Sequence, residues 1–412
     1  MQSKYLIVGS SHAALEAANA IRMFDSVGTL TLLTRDAHLP YSPTILPYVV
    51  SGRSQPDNVT LRDAAYFRAN AIDFVSGAEI VSVDPAQSSL RLATGESWHY
   101  ERLLIATGAA PSLPKVRGLA DVPYHVLRSL DDAVGLRRAM QQAKSALVLG
   151  AGLIGMHAAE NMAKAGIKVT VVELQRFALS VYFEPKASAM IERTFAEHGV
   201  QMLMGRTLVS VERAGDGIAT TLSNGTTLEA DLLLVCTGVK PNISFLKGAG
   251  IETNVGILVD DRMRTNVANI WAAGDVAQGR GFWGDKVVNG ILPNAVEQGR
   301  IAGADMAEDA GVQPFRGAVP LNTYSFFGQQ AISVGHCGSP GSEVVEGGGG
   351  GSYRHIVLKD GRLVGISTIN DFIDAGIMWQ LILRRTDLSA VKEAFIANPQ
   401  LTGRQLMSQM WR

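Results

Sequence analysis

Two stretches of the chain repeat one order of apolar and polar positions. Each opens with a run of apolar residues, passes through a turn of small residues into a helical pattern, and closes with a second apolar run. The stretches are YLIVGSSHAALEAA, from Tyr5, with the later TLTLLTRD, and ALVLGAGLIGMHAAENMAKAGIKVTVVEL, from Ala146. A strand, a tight turn, a helix and a second strand predict a βαβ unit in both places.

Three further apolar runs end in turns that contain glycine. YERLLIATG and DLLLVCTG stop at Thr107-Gly108 and Thr237-Gly238, and NIWAAGD stops at Gly274-Asp275. Each could be a plain junction between a strand and a loop. Their order along one chain instead predicts sheet strands whose carboxyl ends carry ligand-binding turns.

The second βαβ stretch carries a complete dinucleotide-binding motif. Gly150, Gly152 and Gly155 stand where the turn, the approach of a pyrophosphate and the packing of helix on strand require glycine. The pyrophosphate would lie at the start of the helix, where free N–H groups favour an anion. Glu173 ends the second strand, where a carboxylate accepts hydrogen bonds from a ribose 2′-hydroxyl and repels a 2′-phosphate. The motif predicts NADH rather than NADPH, with nearby Arg176 as a contrary sign.

The first βαβ stretch carries a worn copy of that motif. Gly9 matches the first glycine, Ser11 replaces the second, and Ala14 takes the third position. Serine is small enough to admit a slightly displaced pyrophosphate. Thr34 stands where Glu173 stands in the other copy, with Asp36 close by, and the pattern leaves open which of them binds a ribose. Alone, this copy could equally be a strand packed on a helix.

Composition narrows the class of function. A chain of 412 residues is expected to form two or three domains, and a formal net charge of -1 gives no reason to expect a nucleic acid or an anionic membrane as partner. Cys236 and Cys337 are the two cysteines, too far apart for a recognisable zinc or iron–sulfur motif. The first strand begins within a few residues of Met1, and no apolar run approaches the roughly 20 residues of a membrane span. We therefore expect a soluble, cytoplasmic protein.

Together the motifs resemble the flavoprotein pyridine nucleotide oxidoreductase family over nearly the whole chain. The resemblance implies an α/β fold with two Rossmann-like dinucleotide-binding domains and a small α+β C-terminal domain. The FAD-binding domain would comprise residues 1–110 and 236–315, the inserted NAD-binding domain 111–235, and the C-terminal interface domain 316–412. The implied cofactors are FAD and NAD, and no metal is implied.

The resemblance also implies the residues of each site. FAD would contact the worn motif, the segment LPYSP, two of the glycine turns and the start of the helix in ILPNAVEQGRIAG: Gly9, Ser11, His12, Ala13, Ala14, Thr34, Arg35, Tyr41, Ser42, Pro43, Ala106, Thr107, Gly108, Gly274, Asp275, Pro293, Asn294 and Ala295. NAD would contact the complete motif and the remaining glycine turn: Gly150, Gly152, Leu153, Ile154, Gly155, Glu173, Thr237 and Gly238. The candidates beside the flavin are Pro43, Thr44 and His157.

Thr44 departs from the family pattern. Disulfide reductases carry a CxxxxC pair after the first motif, and coenzyme A-disulfide reductases and related NADH oxidases carry one cysteine in a segment such as CGLPYYISG. Here the segment is TILPYVVSG, and a threonine cannot form a sulfenate, a disulfide or a thiolate. Thiol chemistry at this position is thereby excluded. The preceding LPYSP resembles the YSR or YDR of ferredoxin, rubredoxin and nitrite reductase flavoproteins, which send single electrons to an iron centre.

His157 is the second departure, because many family members have glutamate there. The histidine could contact the nicotinamide or the flavin edge, or it could fill a polar gap. Hydride passes from nicotinamide to flavin by direct contact, so that step needs positioning rather than an acid–base pair.

The last hundred residues predict a smaller domain. YRHIVLKDGRLVGISTIND predicts a hairpin around Asp360-Gly361, and EGGGGGS from Glu346 predicts a flexible hairpin tip or linker. The tail predicts helical pieces broken around Asn398-Pro399. Its apolar ending, Met410-Trp411, is a candidate anchor for a partner.

A finer resemblance is to the flavoprotein subunit of multisubunit 2-oxoacid oxidoreductases. It lies in SKYLIVGSSHAALEAANAIRM, DAHLPYSPTILPYVVSG, GAVPLNTYSFFG, QLILRRTDL and MSQMWR. It implies a subunit that passes electrons between the iron–sulfur clusters of partner subunits and NAD⁺ through FAD. Two alternatives stay open: a stand-alone NADH-dependent ferredoxin or rubredoxin reductase or NADH oxidase, and a nucleotide-binding assembly subunit whose flavin does not turn over.

Overall fold

The computed structural model describes residues 1–338 and 340–410. Trp411 and the side chain of Met410, the predicted anchor, lie outside this part of the chain. The helices are α1 (His12–Phe24), α2 (Leu46–Val50), α3 (Ala64–Ala69), α4 (Leu130–Met140), α5 (Leu153–Lys164), α6 (Pro185–Glu197), α7 (Leu292–Met306), α8 (Ala375–Leu383), α9 (Lys392–Ala397) and α10 (Pro399–Met410).

The strands, in chain order, are β1 (Gln2–Val8), β2 (Leu30–Leu33), β3 (Ile72–Val75), β4 (Ile80–Asp84), β5 (Ser89–Leu92), β6 (Ser97–Ile105), β7 (Ala109–Pro111), β8 (Ser145–Leu149), β9 (Lys168–Glu173), β10 (Gln201–Met204), β11 (Leu208–Ala214), β12 (Gly217–Leu222), β13 (Thr227–Ala230), β14 (Leu232–Val235), β15 (Val239–Pro241), β16 (Ile257–Leu258), β17 (Ile270–Ala272), β18 (Ala277–Arg280), β19 (Lys286–Val287), β20 (Leu321–Phe326), β21 (Gln329–Gly335), β22 (Glu343–Gly347), β23 (Tyr353–Lys359) and β24 (Arg362–Ile369).

The chain forms two compact units. The first comprises residues 1–45, 55–110 and 239–318, and the second comprises 46–54, 111–238 and the residues from 319 onward. Both predicted βαβ stretches are confirmed as parallel strand pairs joined by a helix, one in each unit: β1–α1–β2 in the first and β8–α5–β9 in the second. The fold is α/β, with parallel sheets of the Rossmann type, as predicted.

The first unit is built on one mixed sheet with the order β3-β2-β1-β6-β5-β4, and β17 also pairs with β6. β1, β2, β3, β6 and β17 are parallel, whereas β4 and β5 are antiparallel additions. Ile105 is opposite both Val8 and Ala272, so β1, β6 and β17 end at one level of the sheet. The turns that follow these three strands therefore meet at one edge.

Helices α1 and α7 of this unit pack through their backbones. A Cβ added to Gly299 would lie 2.2 Å from the carbonyl oxygen of Ala13, and one added to Gly303 would lie 2.3 Å from that of Ala17. Alanine on one helix and glycine on the other allow this approach. It places the middle of α7, at Gly299, against the first turn of α1.

The second unit contains the parallel sheet β10-β9-β8-β14, the antiparallel sheet β11-β12-β13 and the five-stranded antiparallel sheet β20-β21-β24-β23-β22. Leu149 is opposite both Val172 and Val235, so β8, β9 and β14 also end together. The predicted C-terminal hairpin is confirmed by β23 and β24, and its turn has φ of 50° at Asp360 and 70° at Gly361. The glycine run forms the tip between β22 and β23, and the tail breaks at Asn398 between α9 and α10.

The C-terminal residues fold against the inserted segment. The ring of Phe195 in α6 stacks on Phe326 with 6.2 Å between centroids, and the hydroxyl of Ser333 donates to the carbonyl of Tyr182 over 2.6 Å. These contacts explain why the residues from 319 onward share a unit with 111–238. The division into three domains stays a prediction.

Candidate functional site

The worn motif forms the turn between β1 and α1. Gly9 has φ of 122°, and a Cβ there would lie 2.1 Å from the carbonyl oxygen of Ala106, which follows β6. Glycine is therefore required where the two parallel strands end. Ser11 is the N-cap of α1, but its side chain makes no capping hydrogen bond. This end of the helix, with Ala13 and Ala14 buried behind it, can receive an anion at its N–H groups.

The start of α7 completes the same edge of the first unit. The backbone N–H of Gly274, after β17, donates to the side-chain oxygen of Gln298 over 2.9 Å, and Asp275 follows in a short 3₁₀ turn. Asn294 is only 1% exposed, yet both polar atoms of its side chain lack a partner among the described residues. Buried polar groups are normally hydrogen-bonded. A buried amide without partners, between Pro293 and Ala295 at a helix start, fits a site that a cofactor completes.

The residues after β2 leave two candidates for the ribose. Thr34 is 6% exposed, and its hydroxyl oxygen accepts from the Ser10 hydroxyl and from the N–H of Asp36. The carboxylate of Asp36 accepts from the N–H of His38 and from the Tyr41 hydroxyl. Arg35 is exposed. The question between Thr34 and Asp36 stays open, because both are occupied within the protein.

His12, Ser42 and Thr44 form a chain of hydrogen bonds in the first unit. The distance is 2.8 Å from His12 Nε2 to Ser42 Oγ and 2.7 Å from Ser42 Oγ to Thr44 Oγ1. Ser42 is 8% exposed, His12 is partly buried and Thr44 is exposed. Burial lowers the pKa of His12, and the charge of Glu16 opposes that shift. The sequence placed His12 and Ser42 at the cofactor but gave no sign that they bond to each other.

The complete motif in the second unit has the geometry of a dinucleotide cradle. A Cβ on Gly150 would lie 2.3 Å from the carbonyl oxygen of Cys236, and one on Gly155 would lie 2.0 Å from that of Gly150. A Cβ on Gly152, the N-cap of α5, would meet nothing within 4 Å. The outer glycines thus allow close packing, and the middle one faces open space where a pyrophosphate fits. Leu153 and Ile154 form the first turn of α5 beside it.

Glu173 binds the cradle directly. One carboxylate oxygen accepts from the N–H of Ala151 and the other from the N–H of Gln175, both over 2.7 Å. Each oxygen keeps a further lone pair for a ribose hydroxyl. The Glu173 side chain is partly exposed, so it can bond to the backbone of the turn and still be reached by a ribose hydroxyl.

The two Thr-Gly turns use their hydroxyls internally. Thr107 Oγ1 donates to the carbonyl of Asn242 over 3.0 Å, and Thr237 Oγ1 donates to the carbonyl of Ser112 over 2.6 Å. The side-chain amide of Asn242 donates back to the carbonyl of Thr107 over 2.9 Å. These turns can therefore offer a dinucleotide mainly their backbone, at Gly108 and Gly238. Sequence analysis did not predict the bond between Asn242 and Thr107, because the two residues lie far apart along the chain.

His157 lies within the second unit against the C-terminal sheet. Its ring meets Tyr324 of β20 edge-on, at 4.6 Å between centroids and 89° between planes. Burial lowers the pKa of His157, with a smaller opposing effect of the charge of Glu160. The neutral ring thus fills space beside an aromatic residue. Its role at the nicotinamide stays a prediction.

Neither cysteine is set up as a reactive thiol, and the described part of the chain forms no metal-binding cluster. Burial raises the pKa of both Cys236 and Cys337 to about 12. Across residues 1–338 and 340–410, no cluster of three or more histidine, cysteine or acidic side chains is arranged to hold a metal ion. None of the helices described is long and apolar enough to cross a membrane.

The predicted residues thus fall into two groups. All the residues predicted for FAD, together with Thr44, lie in the first unit around the ends of β1, β6 and β17. All those predicted for NAD, together with His157, lie in the second unit around the ends of β8, β9 and β14.

Known proteins are similar to this chain over most or all of its length. The chain is 54% identical over 415 aligned residues to the NADH-dependent phenylglyoxylate dehydrogenase subunit epsilon of Aromatoleum evansii, covering 100% of this chain and 98% of that protein. It is 31% identical to the rubredoxin-NAD(+) reductase of Pseudomonas putida, over 73% of this chain and 79% of that one. A solved structure, the ferredoxin reductase for the CYP199A2 system from Rhodopseudomonas palustris, is 29% identical, covers 89% of this chain and 91% of its own, and has a TM-score of 0.82.

A family profile gives the same result. The profile described as pyridine nucleotide-disulphide oxidoreductase matches residues 3–311, which include both glycine motifs and the start of α7. The chain is an oxidoreductase with FAD and NAD(H) as cofactors, as the sequence predicted. It belongs to the pyridine nucleotide-disulphide oxidoreductase family.

Proposed function

We propose that this chain is the FAD-containing subunit of a multisubunit 2-oxoacid oxidoreductase of the phenylglyoxylate type. It passes electrons between iron–sulfur clusters of partner subunits and NAD⁺. The 2-oxoacid itself reacts on the partner subunits.

The likeness to the phenylglyoxylate dehydrogenase subunit carries this proposal. An identity of 54% that extends over all of this chain and 98% of the relative supports a shared role better than partial matches do. The alignment includes almost the entire relative. The relative's name describes both an NADH-dependent enzyme and a subunit.

The residues of each unit fit the cofactor assigned to it. The pyrophosphate of FAD would lie at Gly9 and the start of α1, with Asn294 beside the start of α7, and that of NAD would lie at Gly150 and Gly152. Bound FAD would supply the conversion between two-electron hydride transfer and one-electron transfer. The protein's part is to position the two dinucleotides and to exclude side reactions.

Thr44 and the cysteine content support electron transfer to another polypeptide. Threonine replaces the redox thiol of the disulfide-reducing relatives, so electrons cannot leave through a disulfide here. Cluster ligation usually takes four cysteines, whereas the chain has two, distant in sequence. The clusters would therefore belong to the partner.

Copurification tests the proposal. The chain, tagged at its N-terminus and expressed at its native level in its native cell, should bring down iron-containing subunits in a fixed ratio that survives high salt. A tagged exposed-surface variant such as Glu229→Ala serves as the matched control for handling. Isolation of the chain alone, with full physiological activity, would contradict the subunit role.

A stand-alone NADH-dependent ferredoxin or rubredoxin reductase is the second candidate. The similarity to a rubredoxin-NAD(+) reductase and to a ferredoxin reductase structure favours it. That candidate predicts a transient partner, lost at high salt because charged surfaces steer such encounters. The non-enzymatic alternative, an assembly subunit, does not agree with membership of an oxidoreductase family.

A further inference from the structure

The hydrogen-bonded chain of His12, Ser42 and Thr44 lies within the first unit. Ser42 Oγ lies 2.8 Å from His12 Nε2 and 2.7 Å from Thr44 Oγ1, so its one proton and its lone pairs serve both partners. The middle of the chain is buried and the Thr44 end is exposed. Its three members lie beside the turn at Gly9, within the group of residues predicted for FAD.

The proposed function creates a demand for proton movement at this site. A hydride carries two electrons and one proton together, whereas an iron–sulfur cluster exchanges electrons alone. Oxidation of NADH to NAD⁺ with two electrons given to clusters therefore releases one proton. Reduction of NAD⁺ by two cluster electrons consumes one proton.

We propose that His12, Ser42 and Thr44 form a proton relay that carries this proton between the flavin site and solvent. The inference rests on the proposed function only in requiring an acceptor that takes electrons without protons. Thr44 Oγ1 is the flavin end, at the position where relatives hold a redox cysteine, and bound flavin would cover its exposed hydroxyl. The partly exposed ring of His12 is the end that exchanges with water.

The relay step balances without any further reactant. In delivery, the Thr44 hydroxyl gives its proton to the flavin site, Thr44 takes the proton of Ser42, and Ser42 takes the proton on Nε2 of His12. His12 then binds a solvent proton at Nδ1 and reaches its other neutral tautomer. Rotation of the two hydroxyls, together with exchange of the ring proton from Nδ1 to Nε2 through solvent, restores the first state. Release runs in the opposite direction. No electrons move along the relay.

The surroundings suit an imidazole that passes protons. Burial lowers the pKa of His12, so the ring is neutral near pH 7 and carries one donor and one acceptor nitrogen. Glu16, one turn further along α1, is the charged residue that acts against this effect. A permanently protonated ring could not accept from Ser42.

A cysteine at position 44 probes the relay without measuring activity. In the flavin-loaded Thr44→Cys variant, hydrogen bonds from Ser42 should stabilise the thiolate, so alkylation should titrate below the ordinary thiol pKa of about 8.5. Adding Ser42→Ala or His12→Ala should raise the midpoint by roughly one unit. Cys236 and Cys337 do not interfere, because the pKa of each is about 12. An identical midpoint in all three proteins would overturn the connection.

Stopped-flow measurements test the function of the relay. With a saturating one-electron dye, His12→Ala and Thr44→Val should slow flavin reoxidation about ten-fold or more, the lower range for loss of a proton-transfer group. The loss in the rate of flavin reoxidation should exceed any change in the rate of reduction by NADH. Imidazole should restore the His12→Ala reoxidation rate, and Thr44→Ser should reoxidise faster than Thr44→Val because it keeps the hydroxyl.

His99→Ala is the matched control, since His99 is an exposed histidine of the same unit on β6. The His99→Ala variant should keep the unaltered rates of flavin reduction and reoxidation, and imidazole should not change them. Normal reoxidation rates with unchanged solvent isotope effects in His12→Ala and Thr44→Val would overturn the relay. Because the acceptor here is a dye, failure of the relay is distinguishable from failure to find an iron–sulfur partner.

Discussion

At the scale of single residues, Glu173 is the side chain for which we propose a role in both the fold and the choice of cofactor. Its two carboxylate oxygens accept from the N–H groups of Ala151 and Gln175, which fixes the carboxylate beside the glycine cradle. A fixed negative charge near a ribose favours a 2′-hydroxyl and repels a 2′-phosphate. Under the proposed assignment of Glu173 to the ribose, cofactor choice depends on the geometry of this turn.

Glu173→Ala should separate these two roles. We expect kcat/KM for NADH to fall roughly ten- to hundred-fold, since hydrogen bonds to a charged group contribute about 1.5–3 kcal/mol. The value for NADPH should fall much less, because the repulsion is lost as well. Steady-state kinetics with both cofactors would measure this, with Glu229→Ala as an exposed control in the same unit. Equal losses for NADH and NADPH would mean that the carboxylate supports only the turn.

The two thiols should be inert at neutral pH. Burial raises the pKa of Cys236 and Cys337 to about 12, so both lie in the protonated form until the pH approaches that value. At pH 8 the thiolate fraction is on the order of one part in ten thousand, and the thiolate is the reactive species. Treatment with a maleimide at pH 8 should leave NADH-to-dye activity largely intact. Loss of activity that a thiol reverses would show that a cysteine takes part in turnover.

The sequence predicts site residues only where the structural requirement arises within a short segment of the chain. The glycines of the complete motif and Glu173 are readable because a short turn and the end of a strand each impose one requirement. The bond between His12 and Ser42 joins positions 30 residues apart, and Asn242 meets Thr107 across 135 residues. Such contacts depend on the tertiary fold, so no spacing in the sequence indicates them.

At the scale of elements, the contact between α1 and α7 positions the first site. Backbone atoms of Ala13 and Ala17 lie against Gly299 and Gly303, which holds the middle of α7 against the N-terminal half of α1. The sequence predicted both helices. It did not predict their pairing, because glycine in a helix lowers local propensity and gains its meaning only from a neighbour.

Gly303→Ala should destabilise the protein although alanine is the better helix former. The added methyl carbon would lie 2.3 Å from the carbonyl oxygen of Ala17, and overpacking of this kind costs about 1–3 kcal/mol. Gly135→Ala in α4 is the control, since a Cβ there meets nothing within 4 Å. It should gain up to about 1 kcal/mol from helix propensity. Urea unfolding would measure both free energies, and a stable Gly303→Ala protein would contradict the close packing.

At the scale of the whole molecule, the order of elements was more predictable than their grouping. Repeated βαβ patterns and a C-terminal hairpin are properties of short stretches, and the structure confirms them. The joining of the C-terminal sheet to the unit that holds the complete glycine motif depends on aromatic and polar contacts such as Phe195–Phe326 and Ser333–Tyr182. Because those contacts join residues that are distant in sequence, composition could not indicate which segments share a unit.

The proposed role as an electron-transfer subunit concerns a reaction that needs several chains. Partner subunits prepared from cells that lack this chain should oxidise phenylglyoxylate with an artificial dye but should not reduce NAD⁺.

The most direct test adds the flavin-loaded chain back to those subunits and follows NADH formation from phenylglyoxylate. If the chain is the electron-transfer subunit, NADH formation should appear when the chain is added, should saturate at a fixed ratio of chain to partner, and should be lost with the apoprotein. NADH formation at the full rate without the chain, or none at any ratio with it, would contradict the account.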